Sequence, residues 1–233
     1  MSGQFYGVGV GPGDPGLLTL LGVEILGLAD VVIAPLSEKA DESIALTISR
    51  PHLKDDVEVR EMVFPMVFCP QELNSAWQQN KETIQALLEE GKTIVFITLG
   101  DPMVYSTYSY LQQLIQDSGY PVTTVPGVTS FCEMASQLGV PLAQGEEPLC
   151  VLPATCREEI LDLALQNFDN IVLMKASRNF ASLRQKLADA GRLQEAIMVS
   201  RCGWPDEQVF TDLSELEPSQ VQYLSTILVK RKG

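Results

Sequence analysis

The seven residues 93–99, Thr-Ile-Val-Phe-Ile-Thr-Leu, form a β-branched and almost uniformly apolar run that limits the folds open to this chain. A strand with one solvated face alternates polar and apolar residues, whereas a parallel strand covered on both faces stays apolar. The preceding stretch, 72–90, carries Trp77, Ile84 and Leu88 on one stripe of a helix, and Gly91 ends it. The run therefore predicts a central parallel strand that is flanked by helices.

Strand and helix patterns alternate along the rest of the chain, which predicts mainly parallel sheets. Because the strands are too many for one small sheet, we predict two α/β domains, residues 1–120 and 121–233. The boundary is expected near Gly119–Pro121, with an alternative near Gly127. The predicted strands are 5–10, 31–34, 57–62, 93–99, 122–125, 149–152, 171–175, 196–201 and 224–229. The predicted helices are 17–28, 43–49, 72–90, 104–117, 130–138, 158–166 and 180–190.

The composition is that of a globular protein that builds a core without cross-links. Apolar residues make up 45% and charged residues 20% of the 233 residues. The five cysteines are an odd number and include no C-x-x-C pair. They argue against a disulfide framework or a zinc site and for free thiols in a reducing compartment. The single histidine excludes a histidine-rich centre, so we expect no metal site.

No targeting or membrane segment is predicted. The first residues, Met-Ser-Gly-Gln, have neither the basic nor the apolar region of a secretory signal. The most hydrophobic stretch, 16–36, is interrupted by Glu24 and Asp30, so it predicts a helix and a strand rather than a membrane span. At a formal net charge of −14 the chain lacks the basic footprint that nucleic acid requires. We therefore expect a cytoplasmic protein that binds neither nucleic acid nor membrane.

The turn after the first predicted strand is rich in glycine, and residues 11–16 satisfy the G-x-G-x-x-G pattern of dinucleotide sites. A phosphate cradle needs a run of free backbone N–H groups at a helix N-terminus. Two prolines in the segment each remove one such group, and Asp14 places a carboxylate beside the phosphates. A tight turn explains the glycines but not Asp14. An Asp-Pro at the carboxyl end of a parallel strand instead indicates a ligand crevice.

Three further segments place polar residues at predicted strand ends. Asp101, in the Gly-Asp-Pro after the apolar run, either caps the next helix or accepts hydrogen bonds from an ammonium or hydroxyl group of a ligand. Thr129 and Ser130 follow Pro-Gly, where a hydroxyl either caps the next helix or meets a ligand. Lys175 ends an otherwise apolar strand, as a solvated terminus or as a ligand contact.

Taken in order, these segments resemble those of the tetrapyrrole methylase family. The opening G-x-G-P-G-D-P-x-L-L-T matches residues 9–19, the central G-D-P matches 100–102, and P-G-x-[ST]-[SA] matches 126–130. The resemblance spans essentially the whole chain. It implies two α/β domains with the active-site trough between them, a homodimer, and S-adenosylmethionine as the methyl donor.

Within that family, the chain is similar to the precorrin-2 C-20 methyltransferases of cobalamin synthesis. The likeness is carried by residues 64–66, 76–77, 100–111, 139–146, 151–155 and 172–175. Residues 144–147, Gln-Gly-Glu-Glu, depart from the expected Glu-Gly-Asp-Glu. The implied reaction is methyl transfer to the C-20 meso carbon of precorrin-2 or cobalt-factor II, and the sequence leaves both substrates open. It also leaves open another methylase of the same fold and a non-catalytic binding protein.

The resemblance further implies a methyl-donor site and a substrate site. The residues expected around the methyl donor are Leu99, Gly100, Asp101, Met103, Val104, Tyr105, Thr129, Ser130, Lys175, Ala176 and Thr226. Asp14 is expected on the substrate side, as a base or as a partner for pyrrole N–H groups, and residues 64–66 and 105–110 are expected to shape the trough. The implied substrate carries eight carboxylates and therefore requires local cations. The candidate cations are Lys39, Arg50, His52, Lys54, Arg60 and Arg178.

Overall fold

The computed structural model describes residues 3–36, 42–65 and 70–231, with only the backbone described for 70–75. Lys39 and Met66, two positions singled out by the sequence, lie outside the described residues. The chain divides into two compact units, Met1–Thr129 and Ser130–Gly233. The division falls later than Gly119–Pro121 because the strand Val122–Val125 pairs with the first strand of the chain, Gln4–Gly9.

Unit 1 contains one five-stranded sheet in which every pairing is parallel, in the order β3-β2-β4-β1-β5. The central strand, β4, is the apolar run, and its residues 94–97 are fully buried, as the sequence predicts. The elements are β1 (Gln4–Gly9), α1 (Leu20–Leu28), β2 (Val31–Leu36), α2 (Ile44–Ser49), β3 (Glu58–Val63), α3 (Pro70–Glu89), β4 (Thr93–Thr98), α4 (Tyr108–Gln116) and β5 (Val122–Val125).

Helix α4 begins at Tyr108, four residues later than the sequence predicts. The backbone of Tyr105 has a φ of 50°, which lies in the left-handed region and cannot continue into a right-handed helix. The segment between β4 and α4 is consequently a loop. This loop contains Asp101, Met103, Val104 and Tyr105.

Unit 2 contains a second five-stranded sheet, in the order β6-β7-β10-β8-β9. Its elements are α5 (Ser130–Leu138), β6 (Leu149–Pro153), α6 (Glu158–Asn167), β7 (Asn170–Met174), α7 (Phe180–Asp189), β8 (Ala196–Ser200), β9 (Gln208–Phe210) and β10 (Ser225–Lys230).

The expectation of a mainly parallel sheet is wrong for unit 2. Only β6 and β7 are parallel, whereas β10 runs antiparallel to both β7 and β8, and β9 runs antiparallel to β8. The chain between β8 and β10 contains the short strand β9 and one 3₁₀ turn, Pro218–Gln220, but no α-helix. Without a crossover helix the chain re-enters the sheet in the opposite direction. The three-residue β9 is too short to show a periodic pattern.

Two of the residues expected to shape a substrate trough belong to the core of unit 1. Phe64 and Tyr108 are buried, and the Phe64 ring makes edge contacts with Trp77 and Phe96. The Tyr108 hydroxyl lies 2.7 Å from the Thr124 hydroxyl, and burial raises the pKa of Tyr108 above its usual 10.0.

Among the described helices, none is long and apolar enough to span a bilayer.

The thiol of Cys202 is expected to resist alkylation until the protein unfolds. Cys202 is 7% exposed, and its pKa is raised by burial first and by the charges of Glu133 and Glu207 second. Since the thiolate is the reactive species, labelling should be slow in the native protein. Cys132, which is exposed, is the internal control. Iodoacetamide labelling with peptide mass spectrometry measures both thiols, and equal native rates at Cys132 and Cys202 would contradict this expectation.

Candidate functional site

The carboxyl ends of β1, β4 and β5 approach each other unusually closely in unit 1. A Cβ atom added to Gly127 would lie 2.2 Å from the carbonyl oxygen of Gly100, and one added to Gly9 would lie 2.6 Å from the same oxygen. Gly100 and Gly11 also pair through their backbones, with the Gly100 N–H donating to the Gly11 carbonyl over 2.8 Å. Only glycine fits at Gly9 and Gly127. Because these positions are glycines, the ends of the three strands can approach each other this closely.

Asp101 ties two of these strand ends together. One carboxylate oxygen accepts a hydrogen bond from the backbone N–H of Met103 (2.8 Å), and the other accepts one from Gly127 (3.0 Å). The first bond forms a local turn and the second reaches the segment after β5. Asp101 therefore does not cap α4, which was one of its two predicted roles. It fixes the loop after β4 relative to the loop after β5.

The other side chains of the loop after β4 differ in exposure. Met103 and Tyr105 are exposed, while Leu99 and Val104 are half-buried. The loop is anchored at its far end by Ser106, whose hydroxyl lies 2.8 Å from the Thr98 hydroxyl and accepts a hydrogen bond from the Tyr108 N–H. Ser106 was expected only as part of the segment 105–110 that shapes the trough, and its contact with the Thr98 hydroxyl was not predicted.

Asp14 lies exposed at the tip of the turn after β1, where its carboxylate accepts a hydrogen bond from the Gly16 N–H over 2.7 Å. The turn is braced by His52, whose Nε2 lies 3.1 Å from the Pro15 carbonyl oxygen. The Gly11 N–H is engaged by Gly100, and the prolines have none. These contacts agree with the sequence argument against a phosphate cradle.

Thr129 and Ser130 do not cap α5 with their side chains. The Thr129 hydroxyl is buried and has no hydrogen-bond partner within the described part of the chain. The Ser130 hydroxyl instead lies 3.5 Å from the hydroxyl of Thr226, which is buried on β10 in unit 2. A buried hydroxyl without a partner is uncommon in folded proteins, and Thr129 is thus a polar group that a ligand would satisfy.

Lys175 follows β7 directly and adopts a left-handed backbone conformation, with a φ of 59°. Its side chain is half-buried, so it is not the fully solvated terminus that was one of its two predicted roles. Its pKa is lowered by burial and, to a smaller extent, by the charge of Arg178. The next residue, Ala176, is fully buried.

The candidate cations for substrate carboxylates differ in how they are engaged. Arg50 pairs with Glu42 and Arg60 pairs with Glu58, each at 2.6 Å. In the described ranges, neither Lys54 nor Arg178 forms a salt bridge. His52 is occupied by the Pro15 carbonyl, as described above.

Glycine turns, a fixed carboxylate and a buried hydroxyl thus lie at the carboxyl edge of a parallel sheet, which is the edge where open α/β proteins as a class bind their ligands. The model of the tetrapyrrole (corrin/porphyrin) methylases matches residues 4–217, and the chain belongs to this family. The family assignment made from the sequence motifs is therefore confirmed.

Full-length relatives carry more specific names. The cobalt-precorrin-2 C(20)-methyltransferase of Salmonella typhimurium is 39% identical, covering 100% of this chain and 98% of that protein. The precorrin-2 C(20)-methyltransferase of a Sinorhizobium species is 32% identical, covering 97% of this chain and 95% of that protein.

A solved structure has the same fold. The uroporphyrin-III C-methyltransferase of Thermus thermophilus, in complex with S-adenosylhomocysteine, superposes with a TM-score of 0.67. It is 23% identical in sequence, and the comparison covers 97% of this chain and 97% of that chain. The two-sheet α/β architecture predicted from the sequence is confirmed by this likeness.

Proposed function

We propose that this protein transfers a methyl group from S-adenosylmethionine to the C-20 meso carbon of precorrin-2 or its cobalt complex, in cobalamin biosynthesis. The observation that carries the proposal is the 39% identity, over the full length, with a relative named for this reaction. The glycine-lined strand ends and the carboxylate that fixes them support a ligand site in unit 1.

The residues proposed to hold the methyl donor are of the right chemistry for it. The buried hydroxyl of Thr129 lacks a partner within the described residues, and a donor with hydroxyl, amino and carboxylate groups would supply one. In unit 1 the proposed set also includes Leu99, Gly100, Asp101, Met103, Val104 and Tyr105. In unit 2 it includes Ser130, Lys175, Ala176 and Thr226.

The methyl donor supplies a sulfonium-bound methyl group that is already strongly electrophilic. The bond from carbon to sulfur breaks as the new bond to the meso carbon forms, and S-adenosylhomocysteine leaves. Because the reduced tetrapyrrole is electron-rich at that carbon, the protein's task is in-line placement and the exclusion of water. The methylated carbon then loses a proton. Asp14, an exposed carboxylate held by the Gly16 N–H, is proposed to accept it or to bind the pyrrole N–H groups.

Replacing Asp101 by alanine is expected to weaken binding of S-adenosylhomocysteine by about tenfold or more, because Met103 and Gly127 lose the group that holds their loops together. Isothermal calorimetry measures the change. The control is Asp212→Ala, since Asp212 accepts the same kind of local bond from the Ser214 N–H in an exposed loop of unit 2. Equal affinities for Asp101→Ala and wild type would contradict the role given to Asp101.

A homodimer in the cytoplasm is also proposed. The homodimer is supported by α1, on which Leu20 is 91%, Leu21 49% and Leu28 55% exposed. Exposed apolar side chains that lie together mark surfaces that bind another protein chain. Light scattering at micromolar concentration tests the homodimer, with Leu20→Glu expected to yield monomers. The cytoplasmic location is supported by the four described cysteines, which are all free thiols, as expected in a reducing compartment.

The reaction is tested with donor that carries carbon-13 in its methyl group. Precorrin-2 and its cobalt complex are incubated separately with the protein, and mass spectrometry counts the methyl groups gained. Carbon-13 NMR of the product then locates the label, which we expect at C-20. A label at a ring carbon would contradict the proposal and indicate another methylase activity of this fold. If the donor binds but no methyl group is transferred, the result would favour a non-catalytic binding protein.

A further inference from the structure

The turn that carries Asp14 is fixed at both of its ends. At the near end, Gly11 pairs with Gly100 through backbone hydrogen bonds of 2.8 and 3.3 Å. At the far end, the Thr19 side chain caps α1. Asp14 lies exposed between these two anchors, and its carboxylate accepts a hydrogen bond from Gly16, two residues away. This local bond orients the carboxylate within the turn but does not attach the turn to the rest of unit 1.

A side chain from a distant part of the chain supports the middle of the turn. His52 Nε2 lies 3.1 Å from the carbonyl oxygen of Pro15, the residue after Asp14, although the two are 37 positions apart. A carbonyl oxygen only accepts hydrogen bonds, so Nε2 carries the hydrogen and donates it. The Leu18 N–H donates to the same oxygen over a longer distance, 3.3 Å. The His52 bond is therefore the shorter of the two, and it joins the turn to another segment of unit 1.

His52 is itself held by the core of unit 1. It ends a 3₁₀ turn, Arg50–His52, that follows α2 without a break. Helix α2 packs against β2 and β4, and its side chains Ala45, Leu46 and Ile48 are buried. The His52 side chain is half-buried. The bond to the Pro15 carbonyl thus connects an exposed turn to an element that is packed in the core, which is how a reacting group is held in place.

We propose that His52 is a positioning residue, whose Nε2–H acts through the Pro15 carbonyl to hold the Asp14 carboxylate in place for the substrate. This replaces the direct contact with a substrate carboxylate that the sequence left open for His52. Misplacing a reacting group by about 1 Å slows a reaction by up to about 100-fold, so support of the turn is important for the rate. The inference rests on the proposed function, in which Asp14 accepts the proton from C-20 or binds the pyrrole N–H groups.

The first test compares His52→Leu with His52→Gln. Leucine has no donor, whereas the glutamine amide carries an N–H close to the position of the imidazole Nε2 but cannot become a cation. We expect kcat/KM for precorrin-2 to fall about 10- to 100-fold in His52→Leu and less than about threefold in His52→Gln. The Kd of S-adenosylhomocysteine, measured by calorimetry, should not change in either. An unchanged kcat/KM in His52→Leu overturns the proposal, and so does an equal loss in both variants.

Arg184→Met is the matched control for a general loss of stability. Arg184 is half-buried on α7, and its guanidinium donates to the backbone carbonyls of Ser214 (3.2 Å) and Leu216 (2.7 Å). The substitution removes the support of a distant backbone segment in unit 2, as His52→Leu does in unit 1. We expect its kcat/KM to stay within about twofold of wild type. A loss as large as that of His52→Leu would mean that activity follows stability alone, which overturns the proposal.

The second test asks whether His52 acts through Asp14. Asp14→Asn removes the charge but keeps an oxygen that accepts from the Gly16 N–H. In this background, adding His52→Leu should lower kcat/KM by less than about twofold, because the group that His52 positions is already lost. Two losses that multiply as independent effects overturn the proposal. A wild-type kcat/KM in Asp14→Asn also overturns it.

Hydrogen exchange followed by mass spectrometry tests the positioning without the reaction. The Leu17 and Leu18 N–H groups donate to the carbonyls of Asp14 and Pro15. In the ligand-free protein they should exchange about tenfold faster in His52→Leu than in wild type or His52→Gln. Equal exchange in all three overturns the proposal, whatever the protein catalyses.

The failure of the proposed function would look different. In that case the wild-type protein transfers no methyl group to either form of precorrin-2. Equilibrium binding of precorrin-2, followed by its absorbance, then replaces kcat/KM as the measurement. Weaker binding to His52→Leu and Asp14→Asn than to His52→Gln supports the proposal, and equal binding to all three overturns it.

Discussion

Gly127→Ala is expected to destabilise unit 1 by about 2–3 kcal/mol and to weaken binding of S-adenosylhomocysteine by about 100-fold. The new Cβ would lie 2.2 Å from the Gly100 carbonyl oxygen and 2.8 Å from backbone atoms of Gly9. Because these neighbours are backbone atoms, no side-chain rotation can relieve the overlap. The strand ends must separate, and the hydrogen bond between the Gly127 N–H and Asp101 is strained with them.

Urea unfolding and calorimetry measure these two effects, and Gly27→Ala is the matched control. Gly27 lies in α1, and a Cβ added there has nothing within 4 Å. The same substitution should therefore stabilise the protein by about 0.5–1 kcal/mol, since alanine favours a helix over glycine. If Gly127→Ala changed stability by as little as Gly27→Ala, the close approach of the strand ends would have no energetic importance.

Arg192→Met is expected to lower the free energy of unfolding by about 3–4 kcal/mol. Arg192 is only 3% exposed, and its guanidinium donates to the carbonyl oxygens of Leu165, Phe168 and Asp169 at 2.9–3.0 Å. It also pairs with Glu195. The carbonyls stand at the end of α6, where no further turn of helix can satisfy them. Methionine fills similar space but leaves these carbonyls and the Glu195 carboxylate without their donor.

The control for Arg192 is Arg231→Met. Arg231 forms a salt bridge with the carboxylate of Asp169, the residue whose carbonyl binds Arg192, but both side chains are more than half exposed. Exposed pairs contribute less than about 1 kcal/mol, so this variant should remain close to wild type. Urea unfolding followed by circular dichroism measures the free energy of unfolding of both variants. Similar losses of stability in Arg192→Met and Arg231→Met would mean that the contacts of Arg192 with the end of α6 contribute little to stability.

Hydrophobic pattern predicted the elements whose burial is uniform or strictly periodic. β4 is apolar throughout because both of its faces are covered, and its position within the sheet follows from that. The bounds of β5 and α5 were predicted to the residue. The direction of β10 was not predicted, because a strand has the same hydrophobic pattern whichever way it runs in the sheet.

For the candidate site, the sequence located the polar residues and the tertiary structure supplied their partners. Asp101 was expected at a strand end, yet its bond to the Gly127 N–H joins residues 26 positions apart. No local pattern encodes such a contact. The same holds for His52 and the Pro15 carbonyl, which are 37 positions apart.

The sequence by itself thus determined the α/β class, the family and the positions of the glycine turns, because these depend on residue types at fixed spacings. Only the tertiary structure decided that the unit 2 sheet is mixed, that the Thr129 hydroxyl is buried without a partner in the described residues, and that Lys175 has a left-handed backbone next to Arg178. These features depend on which strand ends lie next to each other at an edge of a sheet. Strand order, strand direction and burial determine those neighbours, and all three are fixed only when the whole sheet has formed.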